Sequence, residues 1–173
     1  MMYDFLHAHP HFLEGMYDFT VRVVSKFKPW LKPGGTTEHL FVWFEKATKG
    51  PMFHCHTCGQ CVLHSTGMMC PMECPKNLRD GPCGGVRLNG HCEVKPEMKC
   101  VWVRAWEGAQ QMPTYGDELL MIIPPHNWRL DGSSSWINMM TGIDQENPEA
   151  WSAPTEQLAL ASFFYISDQE ETA

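Results

Sequence analysis

Eight cysteines lie in one stretch of the chain and none lies outside it: Cys55, Cys58, Cys61, Cys70, Cys74, Cys83, Cys92 and Cys100. The first three are spaced C-x-x-C-x-x-C, and Cys70 and Cys74 are each followed by proline. Eight thiolates are the complement of two four-thiolate metal centres. A tight loop with inward-pointing sulfurs brings three thiolates to three irons of a cube. The fourth ligand comes from farther along and is often followed by proline, which keeps the chain from folding back as helix. Cys55, Cys58 and Cys61 supply the triplet, and Cys70 or Cys74 the fourth ligand. The remaining thiols, including Cys83, Cys92 and Cys100, suffice for a second centre. Order alone does not fix which cysteines share a centre, because ligands cross between clusters in ferredoxin-like chains.

The expectation is therefore two [4Fe–4S] clusters. Zinc is the competitor, either one [4Fe–4S] plus one Zn or Zn only. Zinc ribbons usually carry two separate C-x-x-C knuckles, and no second knuckle follows the triplet here. His91, beside Cys92, is an alternative ligand, and His54, His56 and His64 flank the triplet. Taken singly, each histidine suits a surface or hydrogen-bonding role better. The surroundings suit an anionic centre. Lys76, Arg79, Arg87, Lys95, Lys99 and Arg104 interleave with the cysteines, against Glu73, Glu93 and Glu97. Backbone amides of Gly84 and Gly85 are candidate donors to sulfur.

The elements that must position these thiols divide the chain of 173 residues into three regions. Residues 1–50 read as a helix pair. In residues 16–31, Phe19, Val23, Phe27 and Trp30 fall at spacings of three and four, one apolar stripe. Pro33-Gly34-Gly35 ends that helix. The second starts at Thr36 or Thr37 as N-cap, buries Leu40, Phe41, Phe44 and Ala47, and stops at Gly50-Pro51. The aromatic richness exceeds what one helix pair needs, so part of this face is expected to bury a partner.

Residues 51–106 form the cysteine module, where prolines remove donors and glycines permit turns. It has too few aliphatic residues for a hydrophobic core, so metal is expected to hold it together. It ends in a short strand or helix start at residues 101–106. Residues 107–173 are broken by Pro113, Pro124-Pro125, Pro148 and Pro154, with Trp128, Trp136 and Trp151 requiring burial somewhere. They read as an irregular acidic C-terminal arm, extended over a partner or its own core, with a last helix or strand over residues 157–166. The fold class expected is a small α-plus-irregular, metal-stabilised protein: N-terminal helix pair, cluster-binding module, extended arm.

Charge is uneven. The chain carries +3 up to Trp106 and −10 from Glu107 onward, giving the net −7. An acidic half gives no support to nucleic-acid binding. No apolar run approaches the roughly 20 residues of a membrane span. The N-terminus lacks the basic region and apolar core of a secretory signal. The expected compartment is the cytoplasm, where clustered cysteines point to metal rather than disulfides. There is no G-x-G-x-x-G after a strand, P-loop, H-E-x-x-H or G-x-S-x-G, so no catalytic residues are assigned and no flavin or nicotinamide site is visible.

A longer pattern runs through the module. It comprises Cys58-Gly59-Gln60-Cys61-Val62-Leu63, Ser65-Thr66-Gly67-Met68 and Cys70-Pro71-Met72-Glu73-Cys74-Pro75-Lys76. It continues with Leu78-Arg79-Asp80-Gly81-Pro82-Cys83-Gly84-Gly85, Asn89-Gly90-His91-Cys92-Glu93-Val94 and Cys100-Val101-Trp102-Val103. This resembles the cysteine-rich C-terminal domain family of methylenetetrahydrofolate reductase, over about residues 50–106, a third of the chain. The resemblance implies a small metal-cluster subunit that passes electrons to a flavin-dependent methylenetetrahydrofolate reductase-type partner in one-carbon metabolism. FMN or FAD would sit on that partner, not on this chain. The alternative is a zinc-binding structural or adaptor subunit of the same kind of complex. Corrinoid or methyltransferase proteins are a further class of partner in a demethylation setting.

Overall fold

The computed structural model describes residues 9–123 and 125–146. Among them are four α-helices and no strand: α1 Pro10–Ser25, α2 Thr36–Phe53, α3 Val101–Ala109 and α4 Ser135–Thr141. Short 3-10 turns and two isolated antiparallel bridges, Val86 with Cys92 and His91 with Lys99, make up most of the remaining order. No described helix is long and apolar enough to cross a membrane. Trp151 and residues 157–166 lie outside the described residues.

The helix pair is present, but both helices face inward differently from expectation. Helix α1 opens on Pro10, whose missing N–H costs nothing in a first turn, and carries Arg22 in its last turn, where the dipole favours a cation. It ends at Ser25 rather than near Leu31. Pro29 disfavours helix at the residue before it, and the backbone changes to tighter bonds, Phe27 N to Val24 O and Trp30 N to Phe27 O, each 2.9 Å. The expected stripe of Phe19, Val23, Phe27 and Trp30 is exposed. Leu13, Glu14 and Val24 are the buried positions after Pro10. Glu14 stays inside because its Oε1 accepts the N–H groups of Thr114 and Tyr115, both at 2.8 Å.

Helix α2 is preceded by Gly35, so neither threonine is the N-cap. It runs through Pro51 to Phe53, where His54 at φ +48° stops it. One proline removes one ladder bond, and the buried Phe53 anchors the last turn. Of the expected face, Phe41 packs inward, whereas Leu40, Phe44 and Ala47 are exposed. The inward positions are instead Phe41, Glu45, Lys49 and Phe53, at steps of four.

Of the two coverings expected for the segment after the module, residues 107–146 lie over the chain's own core. They fold back over the cysteine module and both N-terminal helices. One cluster joins Leu13, Phe53, Leu63, Met68, Met72 and Met112 with Cys58 and Cys70. A second joins Val24 and Leu31 with Trp136, Ile137 and Met140 of α4. A third seats α3 through Val101, Trp102 and Ala105 on Met69. Helix α3 touches the module backbone directly. A Cβ at Gly67 (φ +60°) would collide with Ala105 O, and one at Gly108 with Gly67 O. Methionine supplies much of this packing and fills irregular gaps left by loops.

Candidate metal centres

The structure sorts the eight cysteines into two sets of four. Cys55, Cys58, Cys61 and Cys70 line one cavity. Cys74, Cys83, Cys92 and Cys100 line another. All eight are free thiols. Of the two Cys-Pro candidates, Cys70 joins the triplet and Cys74 the later cysteines. Among the described residues no three His, Cys, Asp or Glu side chains are arranged to hold a single metal ion.

The first set sits where α2 ends. His54 at φ +48°, Thr57 at +57° and Gly59 at +73° turn the chain back on itself, so that three cysteines face one space. The Thr57 N–H donates to Cys55 Sγ at 3.4 Å. Segments far along the chain hold the outside of this loop. Gly132 N–H donates to Thr57 O at 2.8 Å, and Asn138 Nδ2 to Gly59 O at 2.9 Å. Gln60 accepts from Asn127 N–H at 2.7 Å and donates to Asp144 O at 2.8 Å. A Cβ at Gly59 would strike Leu130 O, so the close approach requires glycine.

Two buried cations flank this set. Lys49 Nζ bonds Glu45 Oε2 at 2.9 Å and Ser135 Oγ at 2.7 Å, and lies 4.6 Å from the Trp136 ring centroid. Burial works against its charge, but Cys61 and Glu45 more than offset that and hold its pKa above the ordinary lysine value. Arg79 is 9% exposed and donates from Nη2 to Gln60 O at 2.8 Å. Its Nε and Nη1 are buried without a hydrogen-bond partner. Burial pushes the thiols of Cys55 and Cys58 up, and that of Cys70 up to about 12. Buried thiols of this kind become thiolates when a bound positive centre compensates the charge.

The second set is built from turns. Cys74 N–H closes onto Pro71 O at 3.0 Å, Cys92 N–H onto Met98 O at 3.0 Å, and Cys100 N–H onto Gly90 O at 2.9 Å. Gly85 N–H donates to Cys83 Sγ at 3.4 Å. Cys100 directly precedes α3. Lys76 Nζ stands 3.6 Å from Cys83 Sγ and is also ion-paired with Glu93.

Three of the four candidate histidines bond other groups through Nδ1. His91 Nδ1 meets Pro96 O at 2.7 Å, His54 Nδ1 meets Glu73 at 2.6 Å, and His64 Nδ1 meets Glu118 at 2.6 Å. Of the interleaved basic residues, Arg79 and Lys76 lie at the thiols. Lys49 was not singled out from the sequence, because Glu45 and Lys49 at i,i+4 are also the ordinary decoration of an exposed helix face.

Both sets match the donor chemistry of a four-thiolate metal centre, and the unpartnered Arg79 nitrogens fit an anionic occupant beside the first. The molecule is thus a small α-helical scaffold around two four-cysteine cavities. The family described as "methylene-tetrahydrofolate reductase C terminal" matches residues 35–129, more than half of the chain, and the chain belongs to that family. The match reaches beyond the cysteine module at both ends, into α2 and the segment that buttresses the triplet loop. Neither a curated protein nor a solved structure matches the chain.

Proposed function

We propose that this chain is the metal-cluster subunit of a methylenetetrahydrofolate reductase-type complex and passes electrons to a flavin-dependent partner. Family membership supports the association with the reductase. The observation that carries the metal reading is the partition of the thiols into two cavities of four. Two [4Fe–4S] clusters are the reading we favour. The C-x-x-C-x-x-C triplet with a later Cys-Pro is the spacing of a cluster-binding loop, whereas zinc ribbons usually carry two separate C-x-x-C knuckles. Such clusters supply one-electron carriage. The chain's own residues hold the thiols inward, donate Thr57 and Gly85 amides to sulfur, and exclude water from the first set through Leu63, Met72 and Phe53. Free thiols in one short stretch favour a reducing compartment such as the cytoplasm.

The partner would cover the apolar surface of α1 and α2. Phe19, Leu40, Trp43 and Phe44 there, and Trp30 in the turn between the two helices, are each more than half exposed. Trp128 is exposed as well, whereas Trp136 belongs to the chain's own core. Exposed aromatics at this density commonly anchor interfaces. Flavin would be held by the partner.

Rapid mixing of the reduced chain with its oxidised flavoprotein partner tests the proposal. Bleaching of the flavin absorbance, together with co-purification of the two proteins, is expected. A stable isolated monomer that leaves the flavin oxidised would overturn both the partner and the electron-transfer role.

A further inference from the structure

We infer that Arg79 makes the Cys55, Cys58, Cys61 and Cys70 centre the higher-potential one, so that the first electron the chain takes up resides there. The inference rests on the cluster reading above. Adding an electron makes a four-thiolate iron–sulfur centre more negative, and its potential follows local charge, hydrogen bonds to sulfur and solvent exposure.

The two centres differ in charge. Arg79 is buried, lines the first cavity, and makes its bond to the Gln60 carbonyl rather than to a carboxylate. Nε and Nη1 are buried without a hydrogen bond, and the guanidinium charge lies beside the Cys58 thiol. A guanidinium removed from water without a counter-ion is costly, and it is tolerated where an anion takes that role. Lys49 adds positive charge beside Cys61, partly balanced by Glu45 at 2.9 Å. At the second centre Lys76 stands near Cys83, but it is partly exposed and paired with Glu93, so water and the carboxylate screen it. Each site has one amide bond to sulfur at 3.4 Å, and the first has backbone bonds from Gln60 to Cys58 and from Met72 to Cys70 as well, which favours the same ordering. Solvent works in the opposite direction. Cys58 and Cys70 are buried, while all four thiols of the second set are partly exposed. An unpaired full charge fixed at a low-dielectric site outweighs that partial difference in exposure.

Dithionite titration of the anaerobically purified full chain, followed by electron paramagnetic resonance, tests this. Two reduction waves are expected. A Cys83→Ala chain should keep only the higher one, because it retains the first centre. Arg79→Gln should lower that wave alone, by a tenfold change in the reduction equilibrium, about 59 mV for one electron. Arg79→Lys should retain most of the potential. Should Arg79→Gln fail to load iron, the identity of the wave kept by Cys83→Ala decides the matter. The inference is overturned if that wave is the lower of the two, or if Arg79→Gln moves both waves equally or neither. Wild-type protein without iron is a separate failure, read from metal content before any titration, and it would remove the cluster reading itself.

Discussion

At the residue scale the thiols are distinguished by what surrounds them. Cys58 lies in the core with Leu63, Met68 and Met72, and its replacement by serine puts a poor soft ligand at the middle of the triplet. Cys58→Ser should cost about half of the iron, since it disables one of two four-thiolate centres, whereas His91→Ala should leave the metal content unchanged. Metal analysis of the two variants decides this, and the reverse outcome would show the ligands misassigned. Glu45 makes a second prediction. Burial raises its pKa, but Lys49, Ser134 and Ser135 outweigh that and hold it below the ordinary value of 4.5. A folded-state pKa below the unfolded one means stability that is present above about pH 4.5 and lost as pH falls through the folded value. Glu45→Gln leaves Lys49 buried without its counter-charge, and removing one partner of a buried pair costs about 3–5 kcal/mol. Denaturant midpoints should show that deficit at neutral pH, and it should shrink toward zero in acid as the wild-type carboxylate protonates.

At the scale of elements, the sequence shows why some features are legible and others are not. The cysteine spacing and the Cys-Pro pairs announce a four-thiolate motif, because few other chemistries need that pattern. Their partition is not legible. Loops have no period, and assigning Cys70 to one set and Cys74 to the other depends on how the intervening Pro71–Glu73 turn aims the chain. Both helices were foreseeable from apolar spacing, but their inward faces were not. On α2 the apolar positions Leu40, Trp43 and Phe44 face out, while Glu45 and Lys49 face in to meet Ser134, Ser135 and the triplet. Hydrophobic periodicity finds the most apolar side of a helix, and in a subunit that side can belong to a partner. Trp43→Ser and Trp30→Ser test this reading. Each should weaken co-purification with the flavoprotein by tenfold or more, as for interface anchors worth about 2 kcal/mol, while thermal midpoint and iron content stay at the wild-type level. A drop in thermal stability with unaltered association would place these rings in the chain's own packing.

On the scale of the whole molecule, the segment after α3 is what the sequence concealed most. Its prolines suggested an arm, yet Asn127, Gly132, Asn138 and Asp144 each bond the triplet loop or its flank. The fold therefore closes around the first thiol set from segments before and after it, with α2 leading into it and α4 bracing it. The second set lies in turns with less of the core around it. Metal binding should then supply much of the folding free energy of residues 51–106. Removal of the metal by chelation should open that region to protease, with cuts appearing first around the second set, at residues 76–98. Protection unchanged after complete metal removal would mean that side-chain packing alone holds the module.

The electron-transfer role depends on what the two cavities hold. Iron, zinc and acid-labile sulfide should be counted per chain in protein purified without oxygen. Two cubane clusters predict about eight irons and about eight sulfides per chain, in a brown sample. About two zinc ions with no sulfide, in a colourless and stable protein, would contradict the electron-transfer role and leave a structural zinc subunit in its place.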